Sequence, residues 1–171
     1  LELVEGPASA IYGSDAMGGV VQLFTKSGEA GDKPRLTQSL GSHGFWQTTG
    51  QFSGRKQELD YAIELSNNAS NGYDTRPDMV HTPSHEDSAK QLVLVKLGYD
   101  LNTTHRVELV TFKSNQTYKT TPYTSGDKDV TNHNHIFGAG VQWQSVWDEN
   151  NFSRWRLNQS EVAADSNDPN S

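Results

Sequence analysis

The chain has no cysteine, which excludes disulfides and thiolate metal sites without choosing a compartment. It also has no long apolar run, and a helix needs about 20 consecutive apolar residues to cross a bilayer, so a helical membrane span is excluded. Apolar residues are scarce throughout. They make up 33% of the 171 residues, with a mean hydropathy of −0.74, whereas a soluble domain usually holds about 45–50%. Basic residues number 14 against 21 acidic ones, a net charge of −7 that argues against a nucleic-acid binder. No Ser/His/Asp arrangement, P-loop or paired-carboxylate signature stands out, so no enzymatic chemistry is expected.

Low hydropathy with net charge is also a signature of disorder. Four Trp, six Tyr and six Phe, regularly placed, argue against that reading. A membrane barrel explains the composition better, because half of each strand's side chains then face a polar interior. Alternating segments run near 35–43, 45–55, 58–71, 89–100, 105–118, 134–147 and 152–164. In 59–66, Leu59, Tyr61, Ile63 and Leu65 take one face, and Asp60, Ala62, Glu64 and Ser66 the other. Phe137, Ala139, Val141 and Trp143 alternate in the same way with Gly138, Gly140, Gln142 and Gln144. Such a face meets a second sheet in a soluble sandwich and lipid in a barrel, and period alone does not separate the two. Length favours the barrel: tilted membrane strands take about 9–11 residues, ordinary strands about 5–6. Connector lengths agree. Residues 42–44, 55–57, 101–104 and 148–151 read as tight turns, and 72–88 and 119–133 as long loops, the short-turn, long-loop habit of outer-membrane barrels. On that scheme the long loops face outside and each end of the sheet is an unpaired edge.

Several polar groups invite a chemical reading. His81 and His85 have a zinc-like spacing, but Pro77 and Pro83 oppose the helix that would align them, and the pair reads as part of a solvated polar loop. The run Asn132-His133-Asn134-His135 reads as the start of a strand. Asp127 with Asp129, and Asp74 and Asp78 with Glu86 and Asp87, are oxygen ligands of the kind calcium takes, or simply solubilising loop charge. Tyr73, Tyr118 and Tyr123 flank the long loops as ligand contacts or as an interfacial girdle. Glu64 and Glu108 read as polar residues facing the interior.

Residues 4–28 are the most informative stretch, reading as strand, turn, one helical turn, glycine hinge and strand. Its marker residues are Gly6, Pro7, Tyr12, Gly13, Ser14, Asp15, Gly18 and Gly19, followed by the β-prone run Val20–Phe24. The string resembles the end of the plug domain in TonB-dependent outer-membrane receptors, and the layout is most similar to the cobalamin receptors. The resemblance implies an all-β fold: the C-terminal part of a plug (1–28), a connector (29–34) and about seven N-terminal strands of a transmembrane antiparallel barrel (35–171). It implies a receptor in the outer membrane of a Gram-negative bacterium, in contact with lipid. Such a receptor imports a nutrient such as cobalamin, a ferric siderophore or haem, using energy from TonB, whose contact segment lies upstream of residue 1. A non-transporting barrel adhesin or sensor and a soluble β-sandwich are the rival readings. The chain's two ends read as the inside of a longer protein. By position, Asp74, Glu86 and Asp87 match calcium ligands of the cobalamin receptors, while an aspartate expected near Ser114 is missing. Glu5 stands where many relatives have Arg, so anchoring of the plug either differs here or uses a compensating cation.

Overall fold

A computed structural model describes residues 2–5, 19–22, 33–73, 86–120 and 129–167. All regular structure in them is β. Strands β1 (Glu2–Glu5) and β2 (Gly19–Gln22) form a separate antiparallel pair, with Glu5 opposite Gly19. The other seven are β3 (Lys33–Leu40), β4 (Trp46–Lys56), β5 (Leu59–Ser70), β6 (Ser88–Asp100), β7 (His105–Thr120), β8 (Val130–Val146) and β9 (Phe152–Asn167). They make one antiparallel sheet in strict chain order, a meander with β3 and β9 at its edges. This is the architecture of a barrel segment. Pro34 lies on edge strand β3, opposite Phe52, the kind of strand to which proline is confined in sheets.

The sheet is inside out by the standard of a soluble domain. Among the described residues the only fully buried large side chain is that of Asp60, 1% exposed, although aspartate is normally among the least buried residues. Most of the exposed apolar side chains of β5–β8 stand out from one face instead, while Leu92, Leu94, Phe112 and Ile136 share the parity of the other. Register sets Leu65 opposite Val93, Leu97 opposite Leu109, and Val141 opposite Leu157. A row Leu59–Tyr99–Val107–Trp143–Trp155 places three aromatics on this face beside the short turns, as an interfacial girdle requires. No second layer covers the apolar face among the described residues.

Strand length rises from 8 residues in β3 to 17 in β8. The apolar character of β7–β9 ends at the row Lys113–Phe137–Glu161, and the strands continue beyond it with Asn115, Thr117, His133 and His135. Pairing with β7 therefore carries the start of β8 back to Val130, four residues before the point the local sequence suggests. β3 likewise begins at Lys33, two residues before the point the alternation suggests, since Lys33 and Pro34 pair with Ser53 and Phe52.

The short connections are built by specific side chains. Asn102 Oδ1 accepts hydrogen bonds from the N–H groups of Thr104 and His105, both 2.8 Å. Asp148 Oδ1 does the same for Asn150 and Asn151, both 2.9 Å. Each is an Asx turn, in which the side chain mimics a backbone acceptor. Arg55 and Lys56 belong to β4, leaving a two-residue turn, Gln57-Glu58, with Gln57 at φ 55°. At the opposite end of the sheet, His43 and Gly44 take φ 55° and 66° in the hairpin between β3 and β4.

Candidate functional site

The polar face of the sheet holds the densest chemistry. Arg55, Asp60, Gly98, Glu108, Gln142 and Arg156 stand opposite one another in a single row across six strands. The adjoining row, nearer the short turns, is Asp100–Arg106–Gln144–Arg154. Arg106 binds three carboxylates at once: Nη2 to Asp60 Oδ2 at 2.5 Å, Nη1 to Asp100 Oδ1 at 2.8 Å and Nε to Glu108 Oε1 at 3.0 Å. Arg55 pairs with the other oxygen of Asp100, and Lys96 Nζ lies 3.9 Å from Glu108. The guanidinium fork suits this task because its N–H donors point along fixed, separate directions. The cluster staples β4, β5, β6 and β7 together beside the short turns.

Gly98 makes the cluster possible. A Cβ there would run into Arg106 Nη2 and lie 2.5 Å from Asp60 Oδ2. The missing side chain is thus the space in which the ion pair sits. Further along the same face the Phe112 ring lies over Gly138, and a groove of about 280 Å³ opens among Val110, Phe112, Gly138, Gly140, Asn158 and Ser160. Glu64 accepts from Gln51 Nε2 at 2.7 Å, so Glu64 and Glu108 occupy separate rows of the polar face, each with its own partners.

The end of the sheet away from the short turns carries Tyr73, Glu86, Asp87, Tyr118 and Asp129 of the residues suggested for ligand and calcium. Tyr73 is exposed and its ring stands 5.6 Å from that of His43. Tyr118 lies on the polar face opposite Ser88 and Asn132. Gly72, at φ 64°, presses so closely on the Glu86 carbonyl that a Cβ would collide with it, which brings residues 71–73 against 86–87. Asp87 pairs with Lys119 twice, Oδ1 to Nζ at 3.0 Å and backbone O to N at 3.0 Å. Asp129 directly precedes β8. Tyr123, Asp74, Asp78 and Asp127 lie outside the described residues, as do His81 and His85. So do Gly6, Pro7, Tyr12, Gly13, Ser14, Asp15 and Gly18; Gly19 opens β2. Among the described residues no group of three or more His, Asp or Glu side chains is placed to hold a metal ion. His133 and His135 are each bound across the ladder, to Thr117 Oγ1 and Asn115 Oδ1, both at 3.0 Å. Ser114 is buried between Leu92 and Ile136 in the row register.

Sequence reasoning missed the Arg106 cluster. Its signal was present: Arg55, Asp60, Arg106 and Glu108 flank the short turns and share the parity of the polar face. Only the register shows that Gly98 clears room for them.

No protein-family model matches the chain. Over 79 residues, which are 46% of this chain, it is 33% identical to the vitamin B12 transporter BtuB of Photobacterium profundum. The match spans only 13% of that protein's length, a partial and distant likeness to a transporter.

Proposed function

We propose that the chain is part of an outer-membrane receptor that imports a scarce nutrient with energy delivered by TonB, cobalamin being the cargo. Residues 1–28 are then the end of a plug, and the seven-stranded meander is the first third of a closed barrel. The observation that carries this reading is the two-faced sheet. One face bears unpartnered aliphatic and aromatic side chains, the other a hydrogen-bonded ionic ladder, and short turns alternate with long loops. A bilayer on one side and a polar interior on the other satisfy both faces. The likeness to a vitamin B12 transporter supports the class and the cargo.

The chain does no covalent chemistry in this account. The long loops at the outer end, with Tyr73, Tyr118 and Tyr123, capture ligand. The acidic residues Asp74, Glu86, Asp87, Asp127 and Asp129 order those loops around calcium. Binding shifts the loop and plug populations only as far as ligand affinity differs between the two states. Titrating the refolded full-length receptor with cobalamin, with and without calcium, tests the cargo. Saturable binding that weakens on chelation is the expected result. Binding of a ferric siderophore or haem, with none of cobalamin, overturns the cargo while leaving the receptor class intact.

A further inference from the structure

His133 and His135 stand two residues apart on β8, so both side chains leave the same face, with Cα atoms about 6.7 Å apart. That face is the one of Phe137 and Trp143, but the two histidines lie beyond the row Lys113–Phe137–Glu161, where its apolar character ends. His133 is half-buried and His135 exposed. Each ring is held by its inner nitrogen: Nδ1 of His133 is 3.0 Å from Thr117 Oγ1, and Nδ1 of His135 is 3.0 Å from Asn115 Oδ1. An amide oxygen only accepts, so the His135 proton sits on Nδ1 and the lone pair is on Nε2. The Thr117 hydroxyl, which accepts as well as donates, permits the same tautomer at His133.

Imidazoles that bind metals are prepared in this way. Anchoring one ring nitrogen to a neighbouring oxygen fixes the tautomer and the ring, and makes the other nitrogen a better ligand. We infer that His133 and His135, anchored by Thr117 and Asn115, are a two-imidazole chelate that binds a divalent transition ion through Nε2. Imidazole suits Cu²⁺, Ni²⁺ and Zn²⁺, and Cu²⁺ stands highest in the usual order of affinity.

The surroundings favour a cation. Rings on alternate positions of one strand reach a shared ion at about 2.1 Å by leaning toward each other. On β9, Asp165 stands opposite His133 and Ala163 opposite His135, so only a small side chain flanks the second ring. Glu161 and Asp165 share this face of β9. Against them stand Lys113 of the adjoining row and Lys119, which is paired with Asp87. No third His, Asp or Glu is in place as a ligand among the described residues, so water fills the remaining positions. The site needs only the register of β7, β8 and β9. It goes beyond the receptor reading, which stands or falls without it.

The probe is Cu²⁺ itself, added to the full-length protein in detergent without a histidine tag and with excess calcium to fill hard oxygen sites. A background of His81→Gln and His85→Gln removes the other closely spaced histidine pair. Electron paramagnetic resonance should show two imidazole nitrogens on one bound copper, and calorimetric titration a one-to-one complex. His133→Ala and His135→Ala should each leave a single nitrogen and weaken binding more than about tenfold. Thr117→Val with Asn115→Ala spares both ligands and should weaken binding about tenfold while the two-nitrogen spectrum persists. Should an alanine variant fail to fold, His133→Gln or His135→Gln keeps the bulk and a donor to the ladder. A one-nitrogen spectrum in the parent, affinity unmoved by losing either histidine or both anchors, or displacement of Cu²⁺ by Mg²⁺ overturns the inference.

Discussion

Replacing Arg106 with Met removes the guanidinium that three carboxylates share, and the structure indicates which of them suffers. Asp100 keeps Arg55 and Glu108 keeps Lys96. Asp60 keeps nothing comparable: it is 1% exposed, and its other oxygen, Oδ1, has no hydrogen-bond partner among the described residues. Removing one member of a buried ion pair costs about 3–5 kcal/mol, because the remaining charge stays desolvated. The Arg106 side chain is 23% exposed, which lets some water reach the vacated space and puts the cost near the lower end, about 3 kcal/mol. At about 1.4 kcal/mol per decade this shifts the unfolding equilibrium roughly a hundredfold. The cost should be largely recovered in the double variant Arg106→Met, Asp60→Asn, where no bare charge remains. Urea titration of the folded protein in lipid vesicles, followed by tryptophan emission, measures both. A loss below about 1 kcal/mol in the single variant, or no recovery in the double, would refute the view that a desolvated Asp60 is held by Arg106.

Three further outcomes follow from the same structure. Val141→Arg on the apolar face should cost about 2–4 kcal/mol of folding stability in vesicles, whereas Gln142→Arg, one residue on, should cost little; equal costs would contradict the assignment of the two faces. Gly138→Val should destabilise by about 1–3 kcal/mol because its side chain meets the Phe112 ring, and adding Phe112→Ala should relieve much of that loss in the same titration. In the turn before β9, the Asn151 side-chain amide, and then the N–H of Asn150, hold the Asp148 carboxyl below its ordinary 3.8. A carboxyl depressed on folding contributes fully above its unfolded value and loses that contribution as pH falls through the folded one. Protection of the turn's amides from hydrogen exchange should therefore fall below about pH 4, and Asn151→Ala should blunt that dependence; a flat profile in the parent would oppose it.

The strand pattern was legible because one-face burial imposes a period of two. Leu59 to Leu65 announces its outward face in the letters alone, and the short turns at Asn102 and Asp148 carry their own acceptor side chains. Boundaries were less legible where pairing outweighs local polarity. Thr131, Asn132 and His133 fall within the long loop that the local sequence suggests over 119–133, yet each stands opposite a residue of β7 and belongs to the ladder. The Arg106 cluster was illegible for a different reason. Its members come from four strands, up to 53 positions apart from Arg55 to Glu108, and only register reveals that Gly98 is the hole they fill. The residues proposed to face ligand follow neither rule, since loops carry no periodicity to read.

The central claim is that one face of this sheet meets lipid and the other a polar interior. The direct test places single cysteines one at a time along Phe137–Gln144 in β8, attaches a nitroxide to each, and measures collision with oxygen, which partitions into lipid, and with a water-soluble nickel chelate. The account predicts strict alternation: positions 137, 139, 141 and 143 favour oxygen, and 138, 140, 142 and 144 favour the chelate. Accessibility to the chelate on both faces, or protection from both probes on the apolar one, would contradict it.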